Sequence, residues 1–76
     1  MSGPKTYRDV IKALRGHDRR FEIYKGKGSE RVIYHPDVEG RPESFPVKCH
    51  GEGTELRPGV LSGIRRRFKL PSDIFG

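Results

Sequence analysis

A basic, glycine-punctuated stretch runs from Lys25 to Arg31, and it holds the residues best suited to chemistry in this 76-residue chain. Gly26 and Gly28 permit positive φ, so the chain can turn tightly there and aim backbone N–H groups outward. Lys25, Lys27 and Arg31 surround the turn with positive charge. Outward donors among cations suit a phosphate oxygen. One acid, Glu30, sits among them. Cleavage of RNA through its 2′-hydroxyl needs a base near that hydroxyl, an acid near the leaving oxygen and positive charge on the phosphoryl oxygens. An exposed glutamate, with an ordinary pKa near 4.3, can serve only as the base. It also weakens the field of Lys27 and Arg31. Glu30 is thus either a working base, with His35 or His50 as acid, or an inactivating residue in a binding site; the second is favoured.

The other reactive side chains read more simply. His35 precedes Pro36 at a strand end and suits a hydrogen bond to loop backbone. His50, between Cys49 and Gly51, is equally suited to RNA contact and to solvation. His17 follows Gly16 at a helix C-terminus, where a cation favours the dipole. Cys49 alternates with Val47 and Phe45, as a buried thiol would. No spacing of His, Cys and carboxylates recommends a metal site, and no cofactor is expected.

Net charge is +6 and the apolar fraction is 32%. Positive charge on a small domain draws polyanions, and RNA is the first candidate. The charge is grouped, at Lys25, Lys27 and Arg31 and again at Arg65, Arg66, Arg67 and Lys69. Arg65, Arg66 and Arg67 span most of a helical turn, so they cannot all face one ligand. A single cysteine excludes an internal disulfide and fits a reducing, cytoplasmic compartment. No run is apolar enough for a membrane span, so no membrane partner is expected.

These residues need a scaffold. Residues 1–76 read as one domain, with a mobile leader at 1–5 and a tail at 71–76 in which Ile74 and Phe75 dock or fray. Thr6 and Asp9 have capping-box spacing, and Tyr7, Val10, Ile11 and Leu14 mark one buried stripe of a helix that Gly16 ends. Arg8, Lys12 and Arg15 occupy its other face. Phe21 and Ile23 alternate with Glu22 and Tyr24 in a first strand. Glu30 to His35 returns as a second, stopped by Pro36, and Asp37 to Pro42 reads as a loop. Ser44 to Cys49 is a third strand, with Pro46 placing it at a sheet edge. Pro58 opens a second helix striped by Leu61, Ile64 and Phe68, and Pro71 ends it. Which of Val32, Ile33 and Tyr34 face inward stays open. Tyr24 and Tyr34 can stack on bases or pack in the core. The expected fold is α+β, ordered α-β-β-β-α, with a three-stranded antiparallel sheet and both helices on one face.

That order, with Gly28-Ser29 opening the second strand, His35-Pro36-Asp37 closing it, Phe45-Pro46-Val47 in the third and Glu55-Leu56 then Gly59-Val60-Leu61 near the end, resembles the HicA-type toxins of toxin–antitoxin pairs. The match runs from about Tyr7 to Leu70. The resemblance implies a double-stranded-RNA-binding-like fold, a messenger-RNA endoribonuclease and a HicB-type antitoxin as partner. It also implies a catalytic histidine after the Gly-Ser pair, where this chain has Glu30. Glu30 therefore marks the catalytic position and impairs it, whether by natural decay or by deliberate inactivation. Lys25, Lys27, Gly28, Ser29, Arg31 and His50 are the expected RNA-binding residues. A non-catalytic RNA-binding module and a protein that only holds an antitoxin are the alternatives.

Overall fold

A computed structural model describes residues 5–51 and 53–75 of the chain. The fold is α+β, with two helices and a three-stranded antiparallel sheet. The elements are β1 (Lys5–Thr6), α1 (Tyr7–His17), β2 (Glu22–Lys25), β3 (Glu30–Val38), β4 (Arg41–Lys48), β5 (Glu55–Leu56) and α2 (Pro58–Arg67). The main sheet has the order β2-β3-β4, and β1 pairs antiparallel with β5 as a second, two-stranded sheet. That small pairing was not expected. It puts Lys5 in a strand; residues 1–4 of the expected leader lie outside the described residues.

Helix α1 starts where its cap residues require. Thr6 Oγ1 accepts from the Asp9 N–H at 3.2 Å, and Asp9 accepts from the Thr6 N–H at 3.4 Å. The two bonds satisfy reciprocal donors at the helix start. The helix runs one residue past Gly16, and Asp18 caps it in extended conformation by donating its N–H to Leu14 O. Glycine at 16 therefore does not stop the helix. Helix α2 carries Pro58 at its first turn, where the missing N–H costs nothing. It ends at Arg67, before Pro71, and Lys69 then takes a left-handed φ of 55°.

Val10 and Leu14 of α1 and Ile64 of α2 are fully buried against Ile33 of β3, and Phe21, Val47 and Phe68 join the same core. Both helices thus cover one sheet face. Ile74 and Phe75 pack against this core. Of the three residues left open, Ile33 faces inward at 0% exposure, while Val32 and Tyr34 lie on the opposite, open face.

Strand β3 is longer than the sequence suggests. It does not stop at Pro36 but continues to Val38, and β4 begins at Arg41, so the loop expected from Asp37 to Pro42 is absent. A register shift between His35 and Val38 absorbs Pro36. A bulge leaves a residue unpaired, which suits one without an N–H. The connection is the two-residue turn Glu39-Gly40, with φ of 54° and 87°. Positive φ at both positions gives the twist that a two-residue hairpin needs. Pro46 lies on the edge strand β4, as its missing donor demands. The Cys49 N–H donates to Ser29 O at 2.8 Å. Alternation from that bond points the Pro46 nitrogen away from β3, where no ladder bond is lost.

Candidate nucleic-acid interface

The β2–β3 turn is built by two backbone bonds. The Gly26 N–H donates to Glu30 O at 2.9 Å, and the Glu30 N–H donates to Lys27 O at 3.0 Å. Gly28 takes a φ of 58°, a conformation that costs a side-chain-bearing residue but not glycine. The loop after β4 closes against this turn through the Cys49–Ser29 bond. It therefore sets Cys49 opposite Ser29, and the N–H of the next residue, His50, donates to Thr54 Oγ1 at 3.0 Å.

The strand period then divides the expected site. Successive residues of β3 face opposite sides. Glu30 lies on the open face with Lys48, its cross-strand partner. Arg31 points the other way, toward the helices, and its Nη1 donates to Glu30 O at 3.1 Å. Lys25 pairs with Arg31 and shares its side of the sheet. The turn thus presents Lys27, Gly28 and Ser29 at its tip, with Glu30 and Lys48 on one side and Lys25 and Arg31 on the other. Lys48 was missed in the sequence. Its alternation with the inward Val47 carried the signal.

Glu30 is half-buried and folds back over Gly26. A Cβ built at Gly26 would fall 2.5 Å from Glu30 Oε1 and 3.0 Å from its Cβ and Cγ. No cation of the described residues forms an ion pair with Glu30, despite the four around the turn. Beyond Glu30, the open face carries Tyr24 and Tyr34. Their rings meet edge-on at 5.7 Å, and Tyr24 is 48% exposed. The Tyr24 hydroxyl donates to Glu22, and that bond raises the phenol above its usual pKa. Tyr24 is thus available to a ligand on the open face, Tyr34 lies half-buried beside it, and neither belongs to the core.

His35 does not belong to this site. Five residues along β3 from Glu30, and on the other face, it lies about 16 Å away at strand rise. The pairing of a Glu30 base with a His35 acid is therefore excluded. His35 is 4% exposed; its Nε2 donates to Asp18 Oδ2 at 2.8 Å, and its Nδ1 accepts from the Asp37 N–H at 3.0 Å. The second bond makes Nδ1 the acceptor and so places a proton on Nε2. Phe21 packs edge-on against the imidazole at 4.7 Å. The Arg20 guanidinium and N–H, together with His35, hold the Asp18 carboxyl far below the usual carboxylate range. Cys49 is buried, and its thiol donates to Gly51 O at 2.9 Å. Among the described residues no three His, Cys, Asp or Glu side chains are grouped to hold a metal, and no helix is long and apolar enough to cross a membrane.

Behind the sheet, a groove of about 540 Å³ separates α1 from β2. Tyr7, Ile11 and Ile23 line it, with Arg8, Lys12, Arg15 and Arg31 among its walls. The polar side of α1 is therefore more than a solvated surface: it forms one wall of a recess.

No family model matches the chain, and no curated protein matches it significantly.

Proposed function

We propose that this chain is a messenger-RNA-binding toxin of HicA type, with endoribonuclease architecture and with cleavage impaired by Glu30. One observation carries the reading. Glu30 and Lys48 share the open sheet face beside the turn tip Lys27-Gly28-Ser29, the Cys49–Ser29 bond holds the chain leading to His50 against that turn, and Tyr24 is exposed on the same face. Cations and backbone donors hold phosphate, and aromatic faces hold unstacked bases. Glu30 stands where an attacking hydroxyl would need a base. Its carboxylate repels the phosphate beside it. A HicB-type antitoxin would neutralise the protein by covering this end, and the cytoplasm is the compartment where messenger RNA is met.

Glu30→His tests the catalytic part. An imidazole removes the negative charge from the phosphate site and titrates near neutral pH. The expected outcome is weak or absent RNA cleavage by the chain as it stands, and measurable cleavage with toxicity in Glu30→His. Folding is matched by circular dichroism. Strong cleavage by the present chain, lost in Glu30→Gln, would show the carboxylate to be a working base. If neither form cleaves but both retain RNA, the protein is a binding module. Antitoxin binding without RNA affinity would instead leave it as a holder of its partner.

A further inference from the structure

The two edges of the main sheet are not equivalent. Because the Gly26 N–H bonds to Glu30 O, the pairs Tyr24–Val32 and Glu22–Tyr34 are the hydrogen-bonded ones in the β2–β3 ladder. The N–H and C=O of Ile23 and Lys25 therefore point away from β3, to the free edge. On the other side, β4 has lost the middle donor of its outer edge to Pro46. Proline on an edge discourages a further strand, and β2, Glu22–Lys25, carries none.

The β2 edge also borders the groove under α1. Ile23 faces into that groove, opposite Ile11, and Arg8, Lys12, Arg15 and Arg31 stand around it. None of these four cations forms an ion pair with a described acid. We propose that β2 accepts an extended acidic segment of a protein partner as an added strand. Its backbone would bond to Ile23 and Lys25, and its inward side chains, apolar and carboxylate, would fill the groove. Main-chain bonds supply affinity in strand addition, and pockets for alternate side chains supply specificity. RNA fits less well: it can neutralise the cations but cannot continue a β-ladder. The inference does not depend on Glu30, on RNA cleavage or on the open face.

The test uses the full chain and a random ten-residue peptide library displayed on phage. Selected peptides should alternate Asp or Glu with Val, Ile or Leu. A synthetic copy of the selected peptide should slow hydrogen exchange at the Ile23 and Lys25 amides. Its affinity should fall by roughly tenfold or more in Lys12→Glu/Arg15→Glu, since rim charges on an exposed helix face steer and select a charged partner. That variant should keep the parent's circular dichroism; Lys12→Ala/Arg15→Ala, with a smaller loss, covers the case in which charge reversal disturbs the helix. Peptides without acidic preference, or protection elsewhere with Ile23 and Lys25 unchanged, would overturn the proposal. So would an oligouridine that protects the groove residues while no peptide does.

Discussion

The two ends of β3 carry charge in opposite ways. At the far end, around His35, several acids and bases are paired. Arg20 bonds Asp18 at 3.0 Å and reaches Asp37 at 3.5 Å, His35 bonds Asp18, and Arg67 reaches Glu43 at 3.7 Å. At the near end, Lys25, Lys27 and Lys48 lie close to Glu30, yet none of them forms an ion pair with a described residue. Paired charges are satisfied within the fold; unpaired ones are left to meet something else. A paired end should respond to mutation through stability, and an unpaired end through binding.

The sharpest break between the ends is expected from His35→Ala. It removes a buried ring, two hydrogen bonds and the contact with Phe21. It should cost about 2–4 kcal/mol in urea denaturation while leaving RNA affinity of the folded fraction unchanged. A loss of RNA affinity at full folding would join the two ends into one site.

Gly28→Ala should cost less, about 1–2 kcal/mol, because the residue keeps a left-handed φ. A built Cβ meets nothing within 4 Å, so the loss is conformational and not steric. Gly28→Asn, which tolerates that conformation better, should recover part of it in the same melt.

Lys27→Ala should change stability by no more than about 0.5 kcal/mol, as an exposed unpaired cation does. Its effect belongs to RNA binding. Affinity should fall, and the slope of log K against log salt should shrink by about 0.7 for one lost phosphate contact on a single strand. An unchanged slope would remove the turn from the interface.

The smallest effect is expected in acid. Asp18 has its folded pKa depressed, so its contribution is fully present above its unfolded value near 3.9 and is lost as pH falls through the folded one. Stability should decline below about pH 4. In Asp18→Asn that decline should be shallower, measured by thermal melts from pH 2 to 7. Equal slopes would mean that another carboxylate carries the acid sensitivity.

The elements of this fold were legible because period and caps agree. Thr6 with Asp9, the stripe Val10–Leu14 and the alternation Phe21–Ile23 each point to one structure. Pro36 misled because a proline's missing donor looks the same at a strand end as at a bulge; the partner strand decides, and one residue cannot show it. The turn cations were legible as a group but not as two sides. Whether Glu30 or Arg31 faces the helices depends on register, and register is fixed by a bond such as Gly26 to Glu30, between residues of different strands. The groove under α1 was less visible still, since Arg8, Lys12 and Arg15 show only as the other face of a helix until β2 is laid beside them.

The pairing of β1 with β5 has a kinetic consequence. The β2-β3-β4 meander joins neighbours in sequence, through one short turn and one two-residue turn, and can close early. The β1–β5 clasp must bring Lys5 to Leu56, the most distant pairing in either sheet. Closing so long a loop is slow and is rewarded by few bonds, so it belongs after the main folding barrier. Substitutions at Lys5 or Glu55 should then leave the refolding rate almost unchanged and shorten the lifetime of the folded chain.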